Sequence, residues 1–274
     1  TVNNASSTIT FAGLLSGTGT FVKSGAGDLT LTGNSSTSFT GPLIISQGQL
    51  RLAGNDTTSG RIGSTAITVA NPGSQLHINQ DNNNSPDRIV NTAVITLNNT
   101  APGLGLFFRD SENAGSNTET VGSVILGAGH NVIAADYTGS TATRFGTLTL
   151  GAATDAISRT NNATTLVVGR NLGSIGYGSV VIADTGGRIV ITTVPTGVNG
   201  VVGGAGADGT TTASIFPYMI GQATTGAPAS TDVGNSFVRV STNGLRPLST
   251  AAADAEYVFE SAGFNALAAS TASN

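Results

Sequence analysis

GTGTFVKSGAGDLTLTGNSSTSFTGPLIISQGQLRL, residues 17–52, decides the fold. Within it Thr20-Phe21-Val22, Leu29-Thr30-Leu31, Leu43-Ile44-Ile45 and Leu50-Arg51-Leu52 are short runs of alternating or β-branched character. Gly, Ser, Asn and Asp separate them, so each run meets a turn before it can reach helical length. The pattern is that of brief half-buried strands joined by tight turns. Val, Ile and Thr are stiff at χ1 and pack well against copies of themselves on a pleated surface. Gly and Asn supply the positive-φ corners that such a chain needs at every return.

Three features of the stretch stand out: Gly17-x-Gly19 before Phe21, the run Lys23-Ser24-Gly25-x-Gly27-x-Leu29-Thr30-Leu31-x-Gly33-Asn34, and the return from Thr40-Gly41 to Gly48-x-Leu50. Together they resemble the autotransporter-associated β-strand repeat, also called the passenger-associated transport repeat, of large secreted bacterial proteins. The phrases RIVN at 88–91, ETVGSVIL at 119–126 and TRFGTLTL at 143–150 are similar to the same family. The resemblance implies a β-solenoid, secretion, and a role outside the bacterial cell or on its surface. It implies no enzyme activity and offers no catalytic residue.

Working outward, residues 1–15 already alternate at Ile9 and Phe11 with no polar capping helix before them. The chain is therefore expected to start inside a solenoid, as a processed protein or a piece of a longer one. Downstream, strand-like runs recur at 62–69, 75–78, 93–97, 104–108, 119–126, 131–133, 145–150, 165–169, 179–182 and 188–192. Equivalent runs lie about 20 to 25 residues apart, the spacing of stacked coils. The expected fold is all-β, a right-handed parallel β-helix of about a dozen coils and about 50 to 60 Å in length. Residues 1–196 read as coils. Residues 197–274, with Pro217, Pro228 and Pro247, read as a Gly-rich loop and an irregular β segment packed on or continuing the solenoid.

Composition excludes several functions. Charged residues are 9% of the 274, with one lysine and scattered arginines, so no basic patch marks a nucleic-acid partner. No apolar run is long enough for a membrane helix, and the Gly-interrupted strands are too short for an outer-membrane barrel, so no membrane insertion of this segment is expected. With no cysteine, thiol catalysis, disulfides and thiolate metal sites are all absent.

Candidate chemistry is thin. His77 and His130, the only histidines, have no ligand or triad partner at useful spacing and read as solvent or corner residues. The polar loop at 81–87 lacks the ordered spacing of a calcium loop. Residues 203–211 nearly match the calcium-binding nonapeptide, but Thr210 stands where a large apolar residue is needed and the motif occurs once, so a flexible loop is expected. Asp110 and Glu112 beside Arg109 form the closest carboxylate pair, read as a charged loop that keeps the rod soluble. The Asn-x-Ser/Thr triplets at Asn34, Asn55 and Asn162 are expected by chance in so Asn- and Thr-rich a chain.

The reading is of a non-catalytic extracellular structural protein without cofactor, contributing to a bacterial surface fibre by stacking of β-solenoid units. Its partners are copies of itself end to end, or the continuation of a longer chain. Uncapped ends make Thr8, Ile9 and Phe11 at one end, and Tyr257, Phe259 and Phe264 at the other, the expected assembly residues. The alternatives are an adhesin that touches host or matrix ligands through loops such as 113–119, and a polysaccharide lyase or hydrolase on a β-helix.

Overall fold

The computed structural model describes residues 1–54, 56–80, 87–111, 117–139, 144–151, 155–173, 186–204, 206–249 and 256. The strands expected at 179–182 lie outside them. The first coils hold β1 (Val2–Asn3), β2 (Thr8–Phe11), β3 (Phe21–Ser24), β4 (Asp28–Leu31), β5 (Asn34–Ser35), β6 (Leu43–Ile45), β7 (Gln49–Leu52) and β8 (Arg61–Ile62). The middle holds β9 (Ala66–Val69), β10 (Gln75–Gln80), β11 (Val94–Asn98), β12 (Gly105–Asp110), β13 (Thr118–Val121), β14 (Val124–Ala128) and β15 (His130–Tyr137). Then follow β16 (Phe145–Leu150), β17 (Ile157–Arg159), β18 (Thr164–Arg170), β19 (Gly186–Ile191), β20 (Phe216–Thr224), β21 (Ser236–Ser241) and β22 (Gly244–Pro247).

The strands sort into three faces that the chain visits in turn. One face is the parallel sheet β1-β3-β6-β9-β11-β14-β17. The second runs parallel through β2-β4-β7-β10-β12-β15-β18-β20 and ends in the antiparallel pair β21-β22. The third is built from β5-β8 and β13-β16-β19, with an isolated bridge from Ile62 to Ile89 after β8. Helix is confined to one 3₁₀ turn, Gly197–Asn199, among the described residues. The chain is thus an all-β stack of coils.

Register follows from the apolar parity of each run. Ile9, Leu29, Leu50, Leu76, Leu106, Ile133 and Val167 lie over one another on the second face. Phe21, Leu43, Ile67, Ile95, Val124 and Ile157 do the same on the first. From Leu29 inward these columns are essentially closed to solvent, and each rung lies about 4.8 Å from the next. The spacing, however, is not uniform. It is 20 residues from Ile9 to Leu29, 34 from Ile133 to Val167, and 54 from Val167 to Gly221. Third-face strands grow from two residues in β5 and β8 to six in β16 and β19, and the loops lengthen with them. Among the described residues the second face stacks eight parallel strands.

Left-handed residues turn the corner between the first and second faces. Gly25, Gly48, Gly73 and Gly129 have φ of +81°, +61°, +76° and +63°, and Asn99 and Asn162 both +53°. At Gly48 a Cβ would lie 2.6 Å from the Ala26 carbonyl oxygen of the coil above, so glycine serves close stacking there as well as φ. The lone lysine is in the same corner. Lys23 is fully buried, and its Nζ donates to the carbonyls of Gly25 at 2.7 Å and Gln47 at 2.9 Å. Desolvation lowers its pKa, and nearby Asp28 partly offsets this.

Candidate functional surfaces at the two ends

At the N-terminal end the first coil is stitched to the second by side chains. Asn4 Nδ2 donates to Asp28 O at 2.9 Å, and Ser35 Oγ accepts from Leu15 N at 2.9 Å. Thr8, Ile9 and Phe11 come together on β2, every residue of which is exposed. Tyr257, Phe259 and Phe264 lie outside the described residues.

At the other end β21 and β22 fold back as an antiparallel hairpin whose Val238 and Leu245 are fully buried. Arg239 and Arg246 are cross-strand partners in it, an unfavourable pair unless neutralised. Glu256 does so: its Oε1 accepts from Arg239 Nη1 and Arg246 Nη2, both at 2.6 Å, and its Oε2 from Arg246 Nη1 at 2.6 Å. Asp208 adds contacts of 2.9 and 3.1 Å. Burial alone would raise the Glu256 carboxyl. The bonds from Arg246, Ser249 and Gly209 and the Arg246 charge outweigh it and hold the group at about 2. Beside this cluster a groove of ≈ 670 Å³ is lined by Ile215, Ile220, Phe237 and Leu248. Its lining acid, Glu256, accepts from both arginines and from the Gly209 and Ser249 amides.

The segment expected to be a flexible Gly loop is tied into this end. Val202 and Ile215 bridge antiparallel, Gly206 N donates to Thr212 O at 3.0 Å, and Gly209 N donates to Glu256 at 2.9 Å. His77 is likewise not at a solvent or corner position. It is 7% exposed, stacks on Phe107 at 4.6 Å between centroids, and sets Nδ1 3.2 Å from Gln49 Oε1. Burial, with the charges of Arg51 and Arg109, pushes it down to about 3. His130 is exposed, with Nδ1 2.9 Å from Thr164 Oγ1, and desolvation lowers it.

Asp110 is a buried corner group that accepts from Asn117 N and Nδ2 at 3.0 and 2.9 Å, not part of a solvated charged loop. Glu112, residues 113–116 of the candidate binding loop and residues 81–86 of the polar loop lie outside the described residues. Glu119, at the end of that binding loop, is inside the stack. It is fully buried, and its carboxylate accepts from Arg88 N at 3.0 Å, Ile89 N at 2.8 Å and Gln80 Nε2 at 3.2 Å. Among the described residues no three His, Asp or Glu side chains gather as a metal site, and no helix is long and apolar enough to cross a membrane.

What the geometry defines is a class: three-faced stacks of parallel coils in which the polar groups serve the scaffold. Within that class the chain carries a recognised unit. Residues 21–52, from β3 to the end of β7, match the family model of the passenger-associated transport repeat. No curated protein and no solved structure matches the chain.

Proposed function

We propose that the chain is a non-catalytic structural segment of a bacterial passenger protein, carried outside the cell or on its surface. There it spans distance as part of a fibre built by stacking β-solenoid coils. The supporting observation is the run of eight parallel strands on one face, with apolar columns shut to solvent along it. The matched repeat supports secretion and a passenger role. The coil is taken as right-handed, as parallel crossovers within one sheet almost always are. No cofactor is assigned.

The adhesin reading finds support in one feature, the apolar groove where Ile220 and Phe237 are 42% and 48% exposed. It is the weaker reading, because Glu119 of the candidate binding loop points into the stack. A lyase or hydrolase needs acids that reach a substrate, whereas Glu119, Asp110 and Glu256 are each buried against backbone or arginine donors. Incubation of the purified chain with a panel of acidic and neutral polysaccharides tests this. No reducing ends and no unsaturated uronate absorbance are expected; product that scales with protein would overturn the proposal.

A further inference from the structure

The outer sides of the three faces differ in charge. On the first, the column from Val22 to Ser158 is uncharged. On the second, Arg170 is paired with Asp136 at 2.9 Å. On the third, Arg188 has no carboxylate partner among the described residues. Glu119 is the one acid within β13, β16 and β19, and it is buried on the inner side.

Parity and register build this surface. Glu119, Leu148 and Ile189 point inward, so Thr118, Thr147 and Arg188 form one outward column and Thr120, Thr149 and Val190 the next. Neighbours lie about 4.8 Å apart across the strands and about 6.7 Å along them. Among the described residues none of these four threonine hydroxyls is tied up in a side-chain hydrogen bond, so each can donate and accept outward.

Arg188 is held by a ring instead of a carboxylate. Phe145 lies opposite Gly186, which has no side chain to cover it; a Cβ there would be 2.4 Å from Arg170 O. The Arg188 guanidinium fills that space, its carbon 3.4 Å from the ring centroid. Its Nε is buried with no hydrogen-bond partner, and burial, opposed by no nearby acid, lowers its pKa. A guanidinium fixed on a ring, its charge unopposed, is preorganised to receive a planar oxyanion on its nitrogen edge. Arg144, one residue before the ring, adds a second positive charge at that edge of the sheet.

We propose that the outer side of the third face binds an acidic glycan, Arg188 taking a uronate carboxylate and the threonine hydroxyls bonding the sugar hydroxyls beside it. The proposal goes beyond the structural reading above, because it gives the rod a polysaccharide partner along its flank. The face offers few positive charges but two columns of outward hydroxyls, with threonine and Val190 methyls to lie against the C–H faces of sugar rings. Polyphosphates and nucleic acids draw their affinity from many cations. An acidic peptide has no hydroxyl array to match the threonines.

Calorimetric titration of the full chain with oligogalacturonate and with hyaluronan oligomers tests this. Saturable binding of at least one is expected. Methyl-esterified oligogalacturonate keeps its hydroxyls but loses its charge, and should bind about tenfold more weakly or worse. Arg188→Gln should weaken binding about tenfold, and Arg188→Lys nearly as much, because lysine keeps the charge but not the planar fork. Thr147→Val leaves the arginine in place and should weaken binding about threefold or more through the lost hydroxyl; it carries the test if substitution of Arg188 alters the circular dichroism spectrum. No binding of either oligomer, equal binding of the methyl ester, or binding unchanged by Arg188→Gln or Thr147→Val would each overturn the proposal. So would polyglutamate or polyphosphate binding as tightly as the uronate oligomers, which would make the face a general anion site.

Discussion

Glu119 occupies a position that its own column fills with Leu148 and Ile189. Its carboxylate stands in for strand bonding between the Arg88-Ile89 backbone and β13. Burial raises its pKa to about 7; the Arg88 and Ile89 amides oppose the rise, Asp87 adds to it, and the Arg88 charge opposes it. In the unfolded chain the group titrates near 4.5. Between those values the folded state holds a proton that the unfolded chain has released, so stability falls as pH rises through the window and levels off above it. The expected loss is about 3 kcal/mol. Urea unfolding from pH 4.5 to 8 measures it. Glu119→Gln is expected to flatten the slope, with some cost in stability at pH 4.5 that shrinks or reverses by pH 8, where the parent has ionised its buried carboxyl; an unchanged slope would remove Glu119 as its source. A sequence signal for this residue exists. In Thr-Glu-Thr-Val, Glu119 shares the parity of inward Val121, as Lys23 shares that of Phe21. Charge suggests a loop, while parity places both residues inside, and parity is correct because backbone donors or carbonyls wait at each site.

Among the elements, the corners were the most legible, because only Gly and Asn adopt positive φ at small cost. Two of them separate conformation from packing. Gly48 and Gly73 have φ of +61° and +76°, but a Cβ at Gly48 would meet Ala26 O at 2.6 Å, whereas at Gly73 nothing lies within 4 Å. Gly73→Ala should cost about 1 kcal/mol, the left-handed strain alone. Gly48→Ala should cost about 3 kcal/mol or more, since the coil above must also shift. Equal costs from chemical denaturation would mean that the coils do not stack as closely as described. The third face was least legible. β5 and β8 are two residues long, too short for any periodicity, and the run at 119–126 that reads as one strand is two, broken at the Gly122 corner.

At the scale of the molecule, the sequence carries the stack but not the length of its coils. The inward columns were legible because each run repeats its apolar parity. The lengthening of the coils was not, since it depends on loops whose residues carry no period. The β21–β22 hairpin was not legible either: its two arginines face each other only once the strands pair, Asp208 comes from well upstream, and only the fold makes them a set with Glu256. The central claim is that coils distant in sequence lie in parallel register along one axis. On the outer side of the first face Val22, Ile44, Thr68, Thr96, Ile125 and Ser158 form a single column. The chain has no cysteine, so paired spin labels can be placed there without background. Electron–electron dipolar distances between positions 44 and 158, and between 22 and 158, should be about 19 and 24 Å, one strand spacing apart. Distances that do not increase by one spacing per rung would contradict the parallel stack.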